Sequence, residues 1–501
     1  MHRVTFEHRH LLHDTAATRQ LEQAAAALLP PHALMQRAGL AVARLALALA
    51  PYARTIWIAC GPGNNGGDGL EAAVHLKSWG QQPVVTWLGD EAHAPADAQA
   101  SLARARQAGV TFAEEPPEGL TTRDLCIDAL LGIGVTRPPA GRLAHWIAIL
   151  NLSPAPTLAV DIPSGLQADT GHPAIDGGDS PPHAEKTADL VRAQHTLSLL
   201  TLKPGLFTAH GRDASGAVWY DDLDVGNHPP PSAWLAGAPL TVLRPHASHK
   251  GSFGDVAVLG GEGLAARGLG MTGAALLAAS AALHGGAGRV LVSLLDHGDM
   301  PLNPVQPELM FRHPNALEWD SLTVVCGCGG GEAIRPLLPQ VLEHSARLVL
   351  DADALNVIAT QPALQAQLRD RATRRQATVL TPHPLEAARL LSCTSAAVQA
   401  DRLTAARQLA QGLDCVVALK GSGTVIASPD SPPLINPTGN ARLATAGTGD
   451  VLAGLVGAKF ASGLPTLAAA CEAAYQHGAV ADRWPADQAL TAGALARRLT
   501  P

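Results

Sequence analysis

Two glycine-rich segments that carry an aspartate stand near opposite ends of the chain: Gly61-Pro-Gly-Asn-Asn-Gly-Gly-Asp-Gly69 and Ala444-Thr-Ala-Gly-Thr-Gly-Asp-Val-Leu-Ala-Gly454. Each runs into a small-residue helical stretch, where free N–H groups and the positive end of a helix can hold a phosphate. In the second segment Gly447, Thr448 and Gly449 can turn successive N–H groups inward, with Asp450 beside them. An anion held there repels a carboxylate, unless that carboxylate takes a proton from an attacking hydroxyl. Asp450 therefore reads as a general base, with a helix-capping aspartate as the plainer alternative. In the first segment Gly66 and Gly67 would let backbone N–H groups reach a pyrophosphate, and Arg137 further on can pair with a phosphate.

Ligands of parallel sheets bind outside the carboxyl ends of the strands, so polar residues just after strand-like runs matter most. Three groups qualify: Asn64-Asn-Gly-Gly-Asp68, Asp128 with the following Leu131-Gly-Ile-Gly-Val-Thr-Arg-Pro138, and Asp161-Ile-Pro-Ser-Gly165. Asn65, Asp128 and Ser164 are hard oxygen donors at neighbouring strand ends and can cage a cation. One carboxylate with two neutral oxygens suits potassium better than zinc. Asx turns and helix caps use the same residue types and are the competing reading.

The elements needed to position these residues are visible in the pattern. Short β-type runs over residues 55–59, 83–88, 124–128 and 157–161 alternate with Ala-rich helical stretches at 91–108 and 141–150. That alternation means βαβ units and a Rossmann-like α/β domain. Residues 227–245 carry five prolines and no sustained periodicity, and read as a linker. Beyond them the alternation restarts, with strand-like runs from Asp255-Val-Ala-Val-Leu-Gly260 to Cys415-Val-Val-Ala-Leu-Lys420 and helices from about 449 onward. The domains are set at 1–230 and 246–501, joined by 231–245.

At 501 residues the chain is long enough for at least two self-supporting cores. With 36 Lys plus Arg against 43 Asp plus Glu and no basic block, neither nucleic acid nor a lipid surface is an expected partner. Seven scattered cysteines read as buried thiols in a reducing compartment, and Cys326-Gly-Cys328 lacks the second pair of a zinc site. No export signal or membrane-spanning run is expected, which points to the cytoplasm.

Leu34-Met-Gln-Arg-Ala-Gly39, Gly63-Asn-Asn-Gly-Gly-Asp-Gly69, Asp128-Ala-Leu-Leu-Gly-Ile-Gly134, Asp161-Ile-Pro-Ser-Gly165 and Lys203-Pro-Gly205 together resemble the NAD(P)H-hydrate epimerase domain, over residues 10–225. The resemblance implies interconversion of the R and S forms at C6 of hydrated NADH and NADPH (NADHX and NADPHX). It places the dinucleotide on Asn64, Asn65, Gly66, Gly67, Asp68, Gly132, Ile133, Gly134, Val135, Thr136, Arg137, Pro138 and Asp161, and potassium on Asn65, Asp128 and Ser164. Asp161 is the expected acid–base group, against a turn-capping alternative.

In the second half, His249-Lys-Gly-Ser-Phe-Gly254, Thr272-Gly-Ala-Ala275, Pro307-Glu-Leu-Met310, Leu350-Asp-Ala-Asp-Ala-Leu-Asn356, Thr381-Pro-His-Pro384 with Glu386, Leu419-Lys-Gly-Ser-Gly-Thr424 and Ala446-Gly-Thr-Gly-Asp450 resemble ADP-dependent NAD(P)H-hydrate dehydratase, a ribokinase-like α/β fold. The implied reaction is phosphorylation of the C6 hydroxyl by ADP and loss of phosphate, with Asp450 as the base. ADP is placed on Lys420, Gly421, Ser422, Gly423, Thr424, Ala446, Gly447, Thr448 and Gly449, with Gly329 and His383 near the hydrate and magnesium accompanying the nucleotide. A homo-oligomer is expected by the same analogy. Asp351 and Asp353 read equally as helix caps or magnesium ligands.

The chain departs from the family pattern at Gly327-Cys-Gly-Gly-Gly331 (for Gly-Pro-Gly-Leu-Gly), at Leu385 (for Gly) and at Gly439-Asn-Ala-Arg-Leu-Ala444 (for Gly-Asn-Pro-Gly-Met-Ala). The rival reading is an ATP-dependent vitamin or sugar kinase fused to a non-catalytic nucleotide-binding module, because the anion-binding motif is shared across that fold.

Overall fold

A computed structural model describes residues 1–174, 190–226, 229–240, 244–296 and 302–501. These form two compact units, Met1–Thr5 with His10–Leu235 and Phe6–Arg9 with Ala236–Pro501.

The first unit is built on an eight-stranded sheet in the order His2–Arg3, Ala217–Asp221, His195–Leu199, Thr157–Val160, Leu125–Ala129, Ile56–Cys60, Pro83–Trp87, Thr111–Ala113. All neighbours are parallel except the short edge strand His2–Arg3. Successive strand residues face opposite ways, and the central strand shows it: Ile56, Ile58 and Cys60 enter one apolar cluster, Trp57 and Ala59 another. Both faces are thus covered, as the continuous apolar runs of a parallel sheet require. From Ile56–Cys60 the chain proceeds outward to Pro83–Trp87 and Thr111–Ala113, then returns to Leu125–Ala129 on the other side. That reversal opens a crevice between the loops leaving Cys60 and Ala129.

In the second unit, Met310–Phe311, Arg289–Leu295, Asp255–Glu262, Thr323–Cys326, Arg347–Leu350, Ala377–Leu380 and Val416–Leu419 pair in that order, all parallel. Val425–Ser428 and Ser431–Ile435 extend the sheet antiparallel. Helices Thr272–His284, Thr448–Ala461, Thr466–Asp482 and Ala492–Arg497 pack an alanine-rich layer on one face. Small side chains there allow close approach: a Cβ at Gly454 would lie 2.0 Å from Ala278 O.

The sequence pattern missed His195–Leu199, Ala217–Asp221 and the Val425–Ile435 hairpin, whose short runs mix Thr, Ser, Asp and Pro with the apolar residues. Within the proline-rich stretch read as a linker, Ala233–Leu235 is a strand paired with His10–Leu12, since Ala233 and Leu235 bury fully. Residues 241–243 of that stretch lie outside the described residues. No described helix is long and apolar enough to cross a membrane.

Candidate active sites

In the first unit a cavity of about 1040 Å³ occupies the crevice at the sheet reversal. Asn64, Asn65 and Asp68 line one side, every residue from Gly132 to Pro138 another, and Asp161 and Lys203 its floor at the ends of the next two strands. The segment read as a loop is helical from Asn64, with Gly63 at the N-cap. Gly66 and Gly67 are not in the wall. A Cβ at Gly66 would meet Gly61 O at 2.1 Å, and one at Gly67 would meet Met35 Cε at 2.8 Å, so these glycines serve helix packing.

The three oxygen donors converge. Ser164 donates through Oγ to Asp128 Oδ1 at 2.6 Å and through its N–H to Oδ2 at 2.9 Å. Leu131 N–H donates to Ser164 Oγ at 2.8 Å, and Asn65 Nδ2 to Leu131 O at 3.1 Å. Asp128 and Ser164 are fully buried. Burial pushes the Asp128 carboxyl up to about 6, against the hydrogen bonds from Ser164 and Leu130, and among the described residues no cationic side chain offsets it. A monovalent cation would supply the missing charge.

Asp161 sits at φ +66, a left-handed conformation that costs a residue with a Cβ about 1–2 kcal/mol. Its Oδ1 accepts from Lys203 Nζ and, at 3.1 Å, from Leu199 N–H. Lys203 is fully buried and also donates to Leu199 O at 2.7 Å. Both recorded donors fall on Oδ1, which leaves Oδ2 for a ligand. The capping alternative for Asp161 is not what its carboxylate does. Lys203 had only a place in a motif and no assigned role; its partner lies 42 residues away, a separation no local pattern reveals. Burial, then Asp161, Glu22 and Asp97, push Asp68 well above the ordinary carboxyl range.

In the second unit the strand ends bring together Cys328, Asp351, His383 and Lys420, facing Asp450 in the first turn of Thr448–Ala461. One ligand atom each from Cys328, Asp351 and Asp450 lies within 4.8 Å of the others. Lys420 Nζ donates to Asp351 Oδ1 at 2.5 Å and would sit 3.4 Å from a Cβ on Gly449. Burial pulls Lys420 down, but Asp351 and Glu386 outweigh it and hold the ammonium above its usual range. Burial, then Asp351, raise Asp450 to about 6. Gly447, at φ +88, is the N-cap, so Asp450 is not the cap of its helix. Its N–H and that of Gly449 have no acceptor among the described residues, as at any helix start. His477, buried in the next helix, meets Thr448 O at 3.0 Å and braces that turn.

The Asp351 and Asp353 capping alternative fails: Asp351 makes no cap bond and pairs with Lys420, while Asp353 accepts from Gly331 N–H at 2.8 Å. His383 does cap its helix, accepting from Leu385 N–H at 3.1 Å through Nδ1, which leaves Nε2 toward Glu386 Oε1 at 3.2 Å. Gly329 is buried and its carbonyl accepts from Glu262 N–H at 2.6 Å. Gly421 to Thr424 form the turn after Lys420, with Thr424 Oγ1 donating to Gly421 O at 3.3 Å. Ala446 is exposed, and no recorded contact draws it to the cluster. Cys328, a buried core thiol as expected, also touches the candidate base, and Glu386, 3 % exposed, rises to about 7 through burial. Of the seven free cysteines Cys393 is exposed, contrary to the buried-thiol reading, because it follows a helix end.

The two units define an α/β enzyme with a strand-end crevice in each. Residues 31–205 match the family described as YjeF-related protein N-terminus, and residues 259–500 match NAD(P)H-hydrate dehydratase. The chain is 37% identical over 475 residues to the bifunctional NAD(P)H-hydrate repair enzyme Nnr of Escherichia coli, covering 90% of this chain and 84% of that one. The Coxiella burnetii enzyme of the same name is 33% identical over 98% of both chains. A Neisseria meningitidis ADP-dependent (S)-NAD(P)H-hydrate dehydratase is 42% identical over 52% of this chain and 86% of its own. A solved Bacillus subtilis ADP/ATP-dependent NAD(P)H-hydrate dehydratase, 30% identical, covers 51% of this chain and 90% of its own with a TM-score of 0.43. The chain belongs to the bifunctional NAD(P)H-hydrate repair enzyme family.

Proposed function

We propose that the first unit epimerises NAD(P)H hydrate at C6 and the second dehydrates the S form at the expense of ADP. The observation that supports this reading is a strand-end site in each unit that presents a carboxylate, Asp161 among those of the first and Asp450 among those of the second. We assign the domains to 1–230 and 246–501, connected by 231–245, which itself contributes the strand Ala233–Leu235, and expect a cytoplasmic protein and, by family analogy, a homo-oligomer.

For epimerisation, Asp161 Oδ2 in its acid form protonates the C6 hydroxyl, which departs as water while the ring nitrogen lone pair forms an iminium. Water then adds from the other face and returns its proton to a carboxylate. Lys203 holds Asp161 in place. Asn65, Asp128 and Ser164 would hold potassium, whose charge, when bound, compensates Asp128. Exchanging potassium for choline should lower the thermal midpoint of this unit, by an amount equivalent to about 1–3 kcal/mol at saturation. Asp128→Asn should remove that dependence; a midpoint indifferent to potassium in the native protein would sink the assignment.

For dehydration, Asp450 takes the C6 hydroxyl proton as the oxygen attacks the terminal phosphorus of ADP, releasing AMP. The phosphate then leaves with the C6–O electron pair, the ring nitrogen forms an iminium, and loss of a C5 proton restores the double bond. The Gly449 and Asp450 N–H groups, without acceptors among the described residues, and the Lys420 ammonium beside Gly449 support binding of the moving phosphoryl there. Magnesium, bound with ADP, would neutralise phosphate charge; Cys328, Asp351 and Asp450 bring one ligand atom each within 4.8 Å of one another, and the two carboxylates are the hard donors among them.

Incubating the protein with hydrated NADH and either ADP or ATP, and following recovery of reduced-nicotinamide absorbance, tests the function. Recovery with ADP is expected. Recovery only with ATP, or none, would favour the small-molecule kinase.

A further inference from the structure

Arg402 opens helix Arg402–Leu413 and is 1 % exposed, beneath the strand end that carries Lys420. Its Nη2 donates to Leu419 O at 3.1 Å and Lys420 O at 3.2 Å, and Nη1 to Gln399 Oε1 at 2.7 Å. Nε has no partner, and among the described residues no carboxylate pairs with the guanidinium. Burial pulls it down only to about 10, so it remains a cation near neutrality. An uncompensated buried charge is unfavourable unless something else answers it.

The other fully buried arginine gives the contrast. Arg371 spends its guanidinium on Thr378 Oγ1 and on the carbonyls of Leu342, Ser345 and Ala377, with no nitrogen unsatisfied, which is a structural brace. Arg402 grips instead the two carbonyls from which the Gly421–Thr424 turn departs. In a trans peptide the C=O and the following N–H point in opposite directions. Fixing Lys420 O inward therefore turns Gly421 N–H outward, and that N–H has no acceptor among the described residues. Gly421 holds φ +142, and a Cβ there would meet Arg402 Nη1 at 2.7 Å. Guanidinium and glycine were built against each other.

Resting on the ADP-dependent reading above, we propose that Arg402 is the positioning residue for the nucleoside diphosphate: it sets the Gly421–Thr424 turn from beneath, so that Gly421 N–H faces outward.

Calorimetric ADP titration of the full chain, with steady-state kinetics, tests this. Arg402→Gln should weaken ADP by roughly ten- to a hundredfold, the range for a charged hydrogen-bonding group. KM for the hydrate should stay unchanged, and kcat at saturating ADP should move by less than about threefold. Arg402→Lys, which keeps the charge but loses the fork, should recover part of the affinity. Native ADP affinity in Arg402→Gln, or a joint loss in both KM values and kcat, would overturn the proposal. Should Arg402→Gln fail to fold, Gln399→Ala, which removes the side-chain acceptor of Nη1, should weaken ADP in the same selective way; unchanged ADP affinity there overturns it equally. A native protein that binds no ADP would instead defeat the functional reading, and the two failures are distinct.

Discussion

Asp450→Asn is expected to abolish the ADP-dependent return of NADH from either hydrate epimer while exchange between the epimers persists. The amide keeps the shape and cannot take the hydroxyl proton, so the loss should reach about 10²–10⁴-fold, the usual span for a general base. Burial and Asp351 hold the carboxyl up at about 6, so the base form exists above that pH. The native dehydratase rate should therefore fall about tenfold per unit as pH drops below 6, a limb that the variant lacks. A carboxyl raised by the fold is ionised at a cost near neutrality, and that cost disappears in the amide. Asp450→Asn should accordingly raise the thermal midpoint of its unit above pH 6, as removal of a strained functional group commonly does. Retained activity, or an inactive variant with a lowered midpoint, would remove Asp450 from the base role.

Asp161→Ala is expected to leave conversion of the S hydrate intact and to slow that of the R hydrate to its spontaneous rate of epimerisation. Chromatographic separation of the epimers during ADP-driven turnover reads this directly: the S form disappears and the R form accumulates. Alanine at φ +66 carries a backbone cost of about 1–2 kcal/mol and would strand the buried Lys203 ammonium, so Asp161→Asn is the companion variant, retaining an oxygen for Lys203. Equal loss on both epimers in both variants would refute the division of labour between the units.

How much of this could be read from the chain alone follows from distance along it. Asp161 and Asp450 were legible because each sits in a short local motif next to a strand or helix end, where the geometry is set by neighbours in sequence. The Asn65, Asp128 and Ser164 convergence was legible for a related reason: residues that end adjacent parallel strands must lie side by side. Cys328 was not. Its neighbours Asp351 and Asp450 come from another strand end and a distant helix, and a thiol in an apolar run looks the same whether it meets leucine or carboxylate. The packing role of Gly66 and Gly67 was not legible, because a glycine that admits a ligand and one that admits another backbone are identical in sequence; Gly61 O and Met35 reveal it. Arg402 escaped for the opposite reason, since an arginine at a helix start looks like a solvent residue.

Selection for stability and selection for epimerisation should agree at position 161 as long as Lys203 is present. Aspartate and asparagine tolerate its left-handed backbone among residues with a Cβ, and aspartate also answers the buried Lys203 charge. A library randomised at this codon and sorted for heat resistance should thus keep aspartate, whereas the same sort in a Lys203→Met background should admit glycine and asparagine that a sort for epimer exchange rejects; the difference between the two sorted pools measures how far the ammonium, and not the chemistry, holds the carboxylate in place.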